Sequence, residues 1–205
     1  MNLLQIRTKL RRMINDESSQ EWTDAELNSE INLAYSKVQK EIFKIDREAH
    51  LFWDTMAATS GTSWYPLPQT FGVSEVGIKG AASDTVFTRL NKKSYEDIKA
   101  LTTTSQAYCI RGQWLGIFPA PSTTVADGIE FVHFPVMTLS DDTDLPRIRL
   151  PLHEAIALWA KISILGDTDE DSPKTRQDLA DLLNDLPTWY NLDSDDPVQL
   201  QVKGV

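Results

Sequence analysis

The run Asp167-Thr168-Asp169-Glu170-Asp171 is the one stretch spaced for metal chemistry. Carboxylates at the first, third and fifth places open a calcium loop, because a hard cation draws oxygen ligands from alternate residues. The count then fails. The sixth place is Ser172, where the sharp turn wants glycine. The seventh is Pro173, which still offers a carbonyl. The twelfth is Asp178, shorter than the bidentate glutamate such a loop prefers. The run reads instead as a solvated acidic turn ahead of a helix, whose start favours negative charge. No metal is assigned. A metal hydrolase built on Asp167, Asp169 and Asp171 stands as the weakest of the functional readings.

Nucleophilic catalysis would need a histidine beside a serine or cysteine. His50 ends a helical stretch, His133 lies inside a strand pattern, and His153 falls in the first turn of another helix. Nothing in the spacing brings them together, and each reads as a packed or solvated histidine. No Gly-x-Ser-x-Gly elbow is present, nor a glycine-rich phosphate loop or dinucleotide fingerprint. Cys109 is the only cysteine, which excludes an internal disulfide and a cysteine zinc site. It reads as a small buried hydrophobe. Asp141-Asp142 and Asp195-Asp196 sit in polar loops, where carboxylates stay hydrated. Trp53, Trp64, Trp114 and Trp159 read as core or interface anchors. Stacking on single-stranded nucleic acid would also require a basic groove. These residues assign no enzyme and no cofactor.

The charge is uneven. The 205 residues carry a net charge of -10, yet residues 1–15 hold Arg7, Lys9, Arg11 and Arg12 and no acid. Acids dominate from Asp141 to Asp196. A duplex-DNA reader shows the reverse balance. An acidic surface suits a path along which DNA slides without sticking. No cleavable-signal pattern opens the sequence. The longest apolar run, around 155–165, is interrupted by Lys161 and is too short to span a bilayer. The reading is a chain of the cytosol, or of a particle assembled there, with no membrane partner.

Helical spacing places four helices. Leu3, Leu4, Ile6, Leu10, Met13 and Ile14 give the first, over 2–14, with Arg7 and Arg11 on its other side. Thr23 with Glu26 forms a capping box for the second, over 23–49. Its stripe is Leu27, Ile31, Ala34, Tyr35, Val38, Ile42 and Ile45. The third covers 150–165, opened by Pro151 and ended by Gly166. The fourth covers 173–190, with Leu179, Leu182, Leu183 and Leu186 on one face. Between them, 51–136 alternates at the period of strands. Arg111-Gly112 makes a hairpin turn, and 129–136 is the last strand. The expected fold is α+β: a four-helix bundle of two N-terminal and two C-terminal helices, with a small central antiparallel sheet. Residues 1–192 form one domain.

Residues 193–205 stand apart. Pro197-Val198-Gln199-Leu200-Gln201-Val202 alternates apolar with polar behind an acidic run. Extended, the segment reaches about 40 Å at about 3.3 Å per residue. It reads either as a frayed terminus or as a strand that docks on a partner's sheet edge. In the second case Asp193, Val198, Leu200, Val202 and Val205 are the partner-binding residues.

Five segments carry a resemblance. They are Trp22-Thr23-Asp24-Ala25-Glu26-Leu27, Glu30-Ile31-Asn32-Leu33-Ala34-Tyr35, Trp64-Tyr65-Pro66-Leu67-Pro68, Gly116-Ile117-Phe118-Pro119-Ala120-Pro121, and Leu139-Ser140-Asp141-Asp142-Thr143-Asp144-Leu145-Pro146. In this order and spacing, over roughly residues 20–165, the chain resembles the head-to-tail adaptor (connector) proteins of tailed bacteriophages. The resemblance implies a virion protein assembled in the host cytoplasm. It implies a ring of about twelve identical subunits bound to the portal protein on one side and to a tail or nozzle protein on the other. It implies a central channel that DNA crosses without specific binding, which the acidic third and fourth helices would suit if they face the lumen. It also implies a C-terminal extension that inserts at the portal, here 193–205. Another assembly or tail-completion module is the alternative. The basic first helix has no counterpart in this pattern.

Overall fold

The computed structural model describes residues 1–46, 49–99, 106–166 and 170–190. In chain order the elements are α1 (Leu3–Met13), α2 (Asp24–Ile45), β1 (Phe52–Ala58), β2 (Trp64–Pro66), β3 (Thr70–Ile78), β4 (Thr88–Arg89), β5 (Asn91–Lys92), α3 (Tyr95–Lys99), β6 (Ala107–Arg111), β7 (Trp114–Phe118), β8 (Val125–Pro135), α4 (Leu152–Leu165), α5 (Ser172–Asn184) and α6 (Leu186–Tyr190). They divide into two compact units. One is Met1–Ala49 with the described part of Val136–Val205, and the other is His50–Pro135.

In the helical unit, α1 opens on a reciprocal cap. Asn2 Oδ1 accepts from the Gln5 N–H at 2.9 Å, and Gln5 Oε1 accepts from the Asn2 N–H at 3.0 Å. The Thr23 and Glu26 side chains cap α2 in the same way, satisfying donors that a helix start leaves open. The buried stripe of α2 is Leu27, Ile31, Ala34, Tyr35, Val38 and Ile42. Ile45 belongs to that stripe by spacing but is exposed, because α2 ends there and Asp46 is extended.

The four-helix bundle is not what forms. A bundle needs each helix to turn one apolar stripe toward a shared core. Here Leu152, Ala155, Ile156, Ala157, Leu158 and Ala160 bury most of the circumference of α4, as expected for a helix enclosed by its neighbours. α1, α2 and α5 all pack on it. The last helical stretch is also divided. Pro187 has no N–H to donate and its ring would strike the carbonyl one turn back, so α5 stops at Asn184. The short α6 then buries Leu186 and Tyr190.

The antiparallel sheet expected within 51–136 is present as two four-stranded sheets, ordered β1-β8-β3-β4 and β2-β7-β6-β5. Among the described residues, only the short β5–β6 pair is parallel. The Ser60-Gly61 turn passes the chain from one sheet to the other, so β1 pairs with β8 and β2 with β7. Ala58, Val73, Val76, Ile78, Ile129 and Phe131 of the first sheet meet Tyr65, Tyr108, Leu115 and Ile117 of the second in one core. The sheets therefore pack face to face. The period of two sends alternate residues of β6 the other way. Ala107 and Cys109 join Ile98 of α3 in a smaller cluster.

Candidate functional site

Of the residues singled out by sequence, Asp193, Val198, Leu200, Val202 and Val205 lie outside the described residues, as do Asp167 and Asp169. Asp171 and Asp178 are exposed at the start and on the outer face of α5. Among the described residues, no group of three or more His, Cys, Asp or Glu is placed to hold a metal ion. No described helix is long and apolar enough to cross a membrane. The histidines sit in separate packing. His50 meets Phe134 edge-on at 5.7 Å. His133 lies against Phe131 at 5.0 Å. His153 Nε2 is 3.1 Å from the Ile148 carbonyl. Cys109 is buried, and that burial pushes its thiol up from the ordinary range.

Four of the five resemblance segments meet in pairs. In the β unit, the segment starting at Trp64 is β2 and the segment starting at Gly116 lies in β7, with Trp64 opposite Gly116. The Trp64 ring crosses the strand at Gly116 and meets Phe118 edge-on at 5.6 Å. A Cβ at position 116 would stand 2.7 Å from Trp64 and 2.9 Å from Cys109 Sγ. Only glycine leaves room for the indole there. Tyr65 closes the corner before β2, its hydroxyl donating to the Thr62 carbonyl at 2.9 Å.

In the helical unit, the segment after β8 is strapped along α2. Asn32 exchanges two hydrogen bonds with the Leu139 backbone, at 2.9 and 2.7 Å. Gln39, fully buried two turns later, does the same with Met137, at 2.9 and 3.0 Å. A side-chain amide satisfies a backbone donor and acceptor together, as a neighbouring strand would. The Tyr35 hydroxyl accepts from the Arg147 N–H at 2.9 Å, and the Tyr190 hydroxyl from the Arg149 N–H at 3.3 Å. Burial pushes the Tyr35 phenol up to about 12, so it stays protonated. Held this way, the strap presents Leu145 and Leu150 to solvent, 64% and 69% exposed. In the β unit, Trp53 is 65% exposed on the edge strand β1. Asp54 Oδ1 takes up the Thr55 N–H there at 2.8 Å, which blunts the edge against stray strand pairing.

Arg7 and Arg11 do not lie on a solvated face. Both are buried, turned into an acidic cluster that joins three segments. Arg11 reaches Asp16 Oδ2 at 2.5 Å, Asp24 Oδ1 at 2.7 Å and the Trp22 carbonyl at 2.9 Å. Arg7 reaches Asp142 at 3.0 Å and Asp24 at 3.4 Å, and donates to Asn28 Oδ1 at 3.1 Å. Asp16 also accepts the N–H groups of Gln20, Glu21 and Trp22. Burial alone would raise the Asp16 carboxyl, but those N–H bonds and the Arg11 charge outweigh it, and it sits below its ordinary range. Charge counting placed four bases in residues 1–15 without a destination. The one signal in the sequence was the (i, i+4) spacing of Arg7 and Arg11; which acids answer them, Asp16 on the connection and Asp24 at the first position of α2, is set by the fold.

His133 is a local weakness. It is 4% exposed in the centre of its sheet, and among the described residues Nδ1 has no hydrogen-bond partner. Burial lowers its pKa, with the Asp54 charge opposing in part. An unpaired buried polar atom costs about 1–3 kcal/mol. His133→Leu is expected to stabilise the chain by about 1 kcal/mol at pH 7. Because the folded pKa lies below the unfolded one, the stability held above pH ~6.5 is lost as pH falls through that value. The variant should lack this loss. Urea titrations of both proteins at pH 7 and pH 5.5 test it, and an equal drop in the two would be the contrary result.

A family model described as SU10 adaptor protein matches residues 1–201. No curated protein matches the chain.

Proposed function

The chain belongs to the SU10 adaptor protein family, and from that membership we propose that it forms a ring at the portal of a tailed phage and joins the portal to the tail. As a phage adaptor protein it belongs to a structural family, not to a family of enzymes. The finer assignment has identical subunits around an axis, portal protein on one side, a tail or nozzle protein on the other, and a channel for DNA between them. The virion is its place of action and the host cytoplasm its place of assembly.

The observation that carries this reading is the reach of the family match, which takes in both units and the tail as far as Gln201. The body supplies what a ring subunit needs. Straps, caps and buried ion pairs hold it. The tail supplies a partner-binding peptide. An extended segment gains affinity from main-chain hydrogen bonds and specificity from alternate side chains, here Val198, Leu200 and Val202. Asp193 and Val205 bound the segment. The segment follows closely on α6, whose Tyr190 is anchored at the strap.

Deleting residues 193–205 tests the reading. The truncated chain is expected to melt as the full chain does, since terminal segments of this composition commonly contribute little to a domain's stability. It is expected to lose attachment to portal-bearing heads, by at least about tenfold in affinity. Attachment at full strength after the deletion would remove the tail from the mechanism.

A further inference from the structure

We propose that neighbouring copies in the ring meet through α2 of one and α5 of the next, with Lys37, Lys40 and Lys44 set against Asp178, Asp181 and Asp185. This rests on the ring reading above and names its contact surface.

Two faces of the helical unit carry it. At about 100° per residue, Leu33, Lys37, Lys40 and Lys44 fall on one narrow strip of α2. The strip lies opposite the stripe buried against the core. Lys40 and Lys44 are exposed, and Leu33 is 49% exposed at one end. Lys37 lies at the flank, its Nζ 5.7 Å from the Trp159 ring centroid. Lys44 pairs with Glu41 at 2.7 Å, and an exposed pair of that kind exchanges partners readily. Asp178 and Asp181 of α5 and Asp185, its C-cap, are all exposed and fall on one strip turned away from the buried Thr175 and Leu179, with the exposed Lys174 as the single base on it. Asp181 accepts from its own helix, from Gln177 Nε2 at 2.7 Å. The lysines and the aspartates share one spacing, three residues and then four.

Both helices pack on α4 through their apolar sides, so the helical unit shows a basic strip and an acidic strip on separate helices. Basic on basic or acidic on acidic repels, which disfavours a two-fold contact of either strip with itself. Basic on acidic is a head-to-tail contact between unlike faces, the kind that generates a ring when its rotation closes. Complementary charge of this sort fixes register and rejects wrong partners more than it adds affinity. An acidic strip turned instead to DNA in the channel would leave the lysine strip unmatched and the shared spacing without a use.

Charge reversal tests this in native particles. Three variants are compared with the unaltered chain: K37E/K40E/K44E, D178K/D181K/D185K, and all six changes together. Ring copies per particle are counted by mass spectrometry and imaging. Each triple variant is expected to lower ring occupancy by about tenfold or more, and the sixfold variant to restore it, since both strips are then reversed. Recovery in the sixfold variant also shows that neither set of changes prevents folding. Full rings from either triple variant, or no recovery in the sixfold variant, overturn the contact and leave the ring standing. Particles in which the unaltered chain forms no ring overturn both.

Discussion

Gly116→Ala is expected to destabilise the β unit by about 3 kcal/mol, near the upper end for overpacking a close-packed core. The added methyl would stand 2.7 Å from Trp64 and 2.9 Å from Cys109 Sγ, on opposite strands of the same sheet. Neither neighbour gives way easily. The Trp64 ring is held against Phe118 at 5.6 Å and Tyr95 at 5.8 Å, and Cys109 is buried beside Ile98. Relief would require moving the indole out of its cluster or parting β2 from β7. Gly80→Ala is the control. Its Cβ would meet only the Asp84 carboxylate, at 3.4 Å, and no positive φ is involved. That change is expected to stay within about 0.5 kcal/mol of the unaltered chain. Guanidinium titrations of the two variants compare them directly. Equal midpoints would show that the indole does not need the glycine.

Arg11→Met is expected to lose about 3–5 kcal/mol, as removal of one partner from a buried ion pair commonly does. Methionine can fill the space of the side-chain stem. It cannot answer the Asp16 carboxylate or the Trp22 carbonyl, and Asp24 keeps only its bond to Arg7. The effect has a pH signature. Asp16 and Asp24 both lie below the ordinary carboxylate range. Asp16 is held down by backbone N–H groups with Arg11 adding to them, and Asp24 first by its hydrogen bond from Arg11. A depressed carboxyl contributes stability above its unfolded pKa, near 4, and that contribution is lost as pH falls through the folded value. The unaltered chain should therefore weaken steeply below about pH 4, and the variant, weaker already, should fall less. Parallel acid slopes for the two proteins would argue that Arg11 does not hold these carboxylates.

Much of this architecture was legible in the sequence, for local reasons. Capping and periodicity are written in neighbouring residues, so Thr23 with Glu26 and the α2 stripe could be read directly; the hairpin turn expected at Arg111-Gly112 lies one residue on, at Gly112-Gln113, because Arg111 still pairs with Trp114. The segments of the resemblance were legible as words. Their pairing was not, because Trp64 meets Gly116 and Asn32 meets Leu139 across long stretches of chain that no local pattern encodes. Two expectations failed, each for its own reason. Arg7 and Arg11 were put on the wet side of α1 because charged residues usually are, and a buried partner such as Asp16 can be recognised only in three dimensions. The bundle was expected because four helical stretches suggest one, whereas the apolar circumference of α4 called for burial on nearly every side. Of the residues proposed to meet partners, the tail was marked by its alternation. The lysine and aspartate strips went unremarked as a pair, since each by itself looks like an ordinary solvated face.

Imaging the native particle by cryo-electron microscopy, with the portal vertex reconstructed, puts the whole scheme to its hardest test. Copies of this chain should circle the axis directly below the portal, with residues 193–205 of each laid in extended form against the portal protein. A portal vertex that lacks this chain, or holds it without rotational repetition and with that peptide free in solvent, would contradict it.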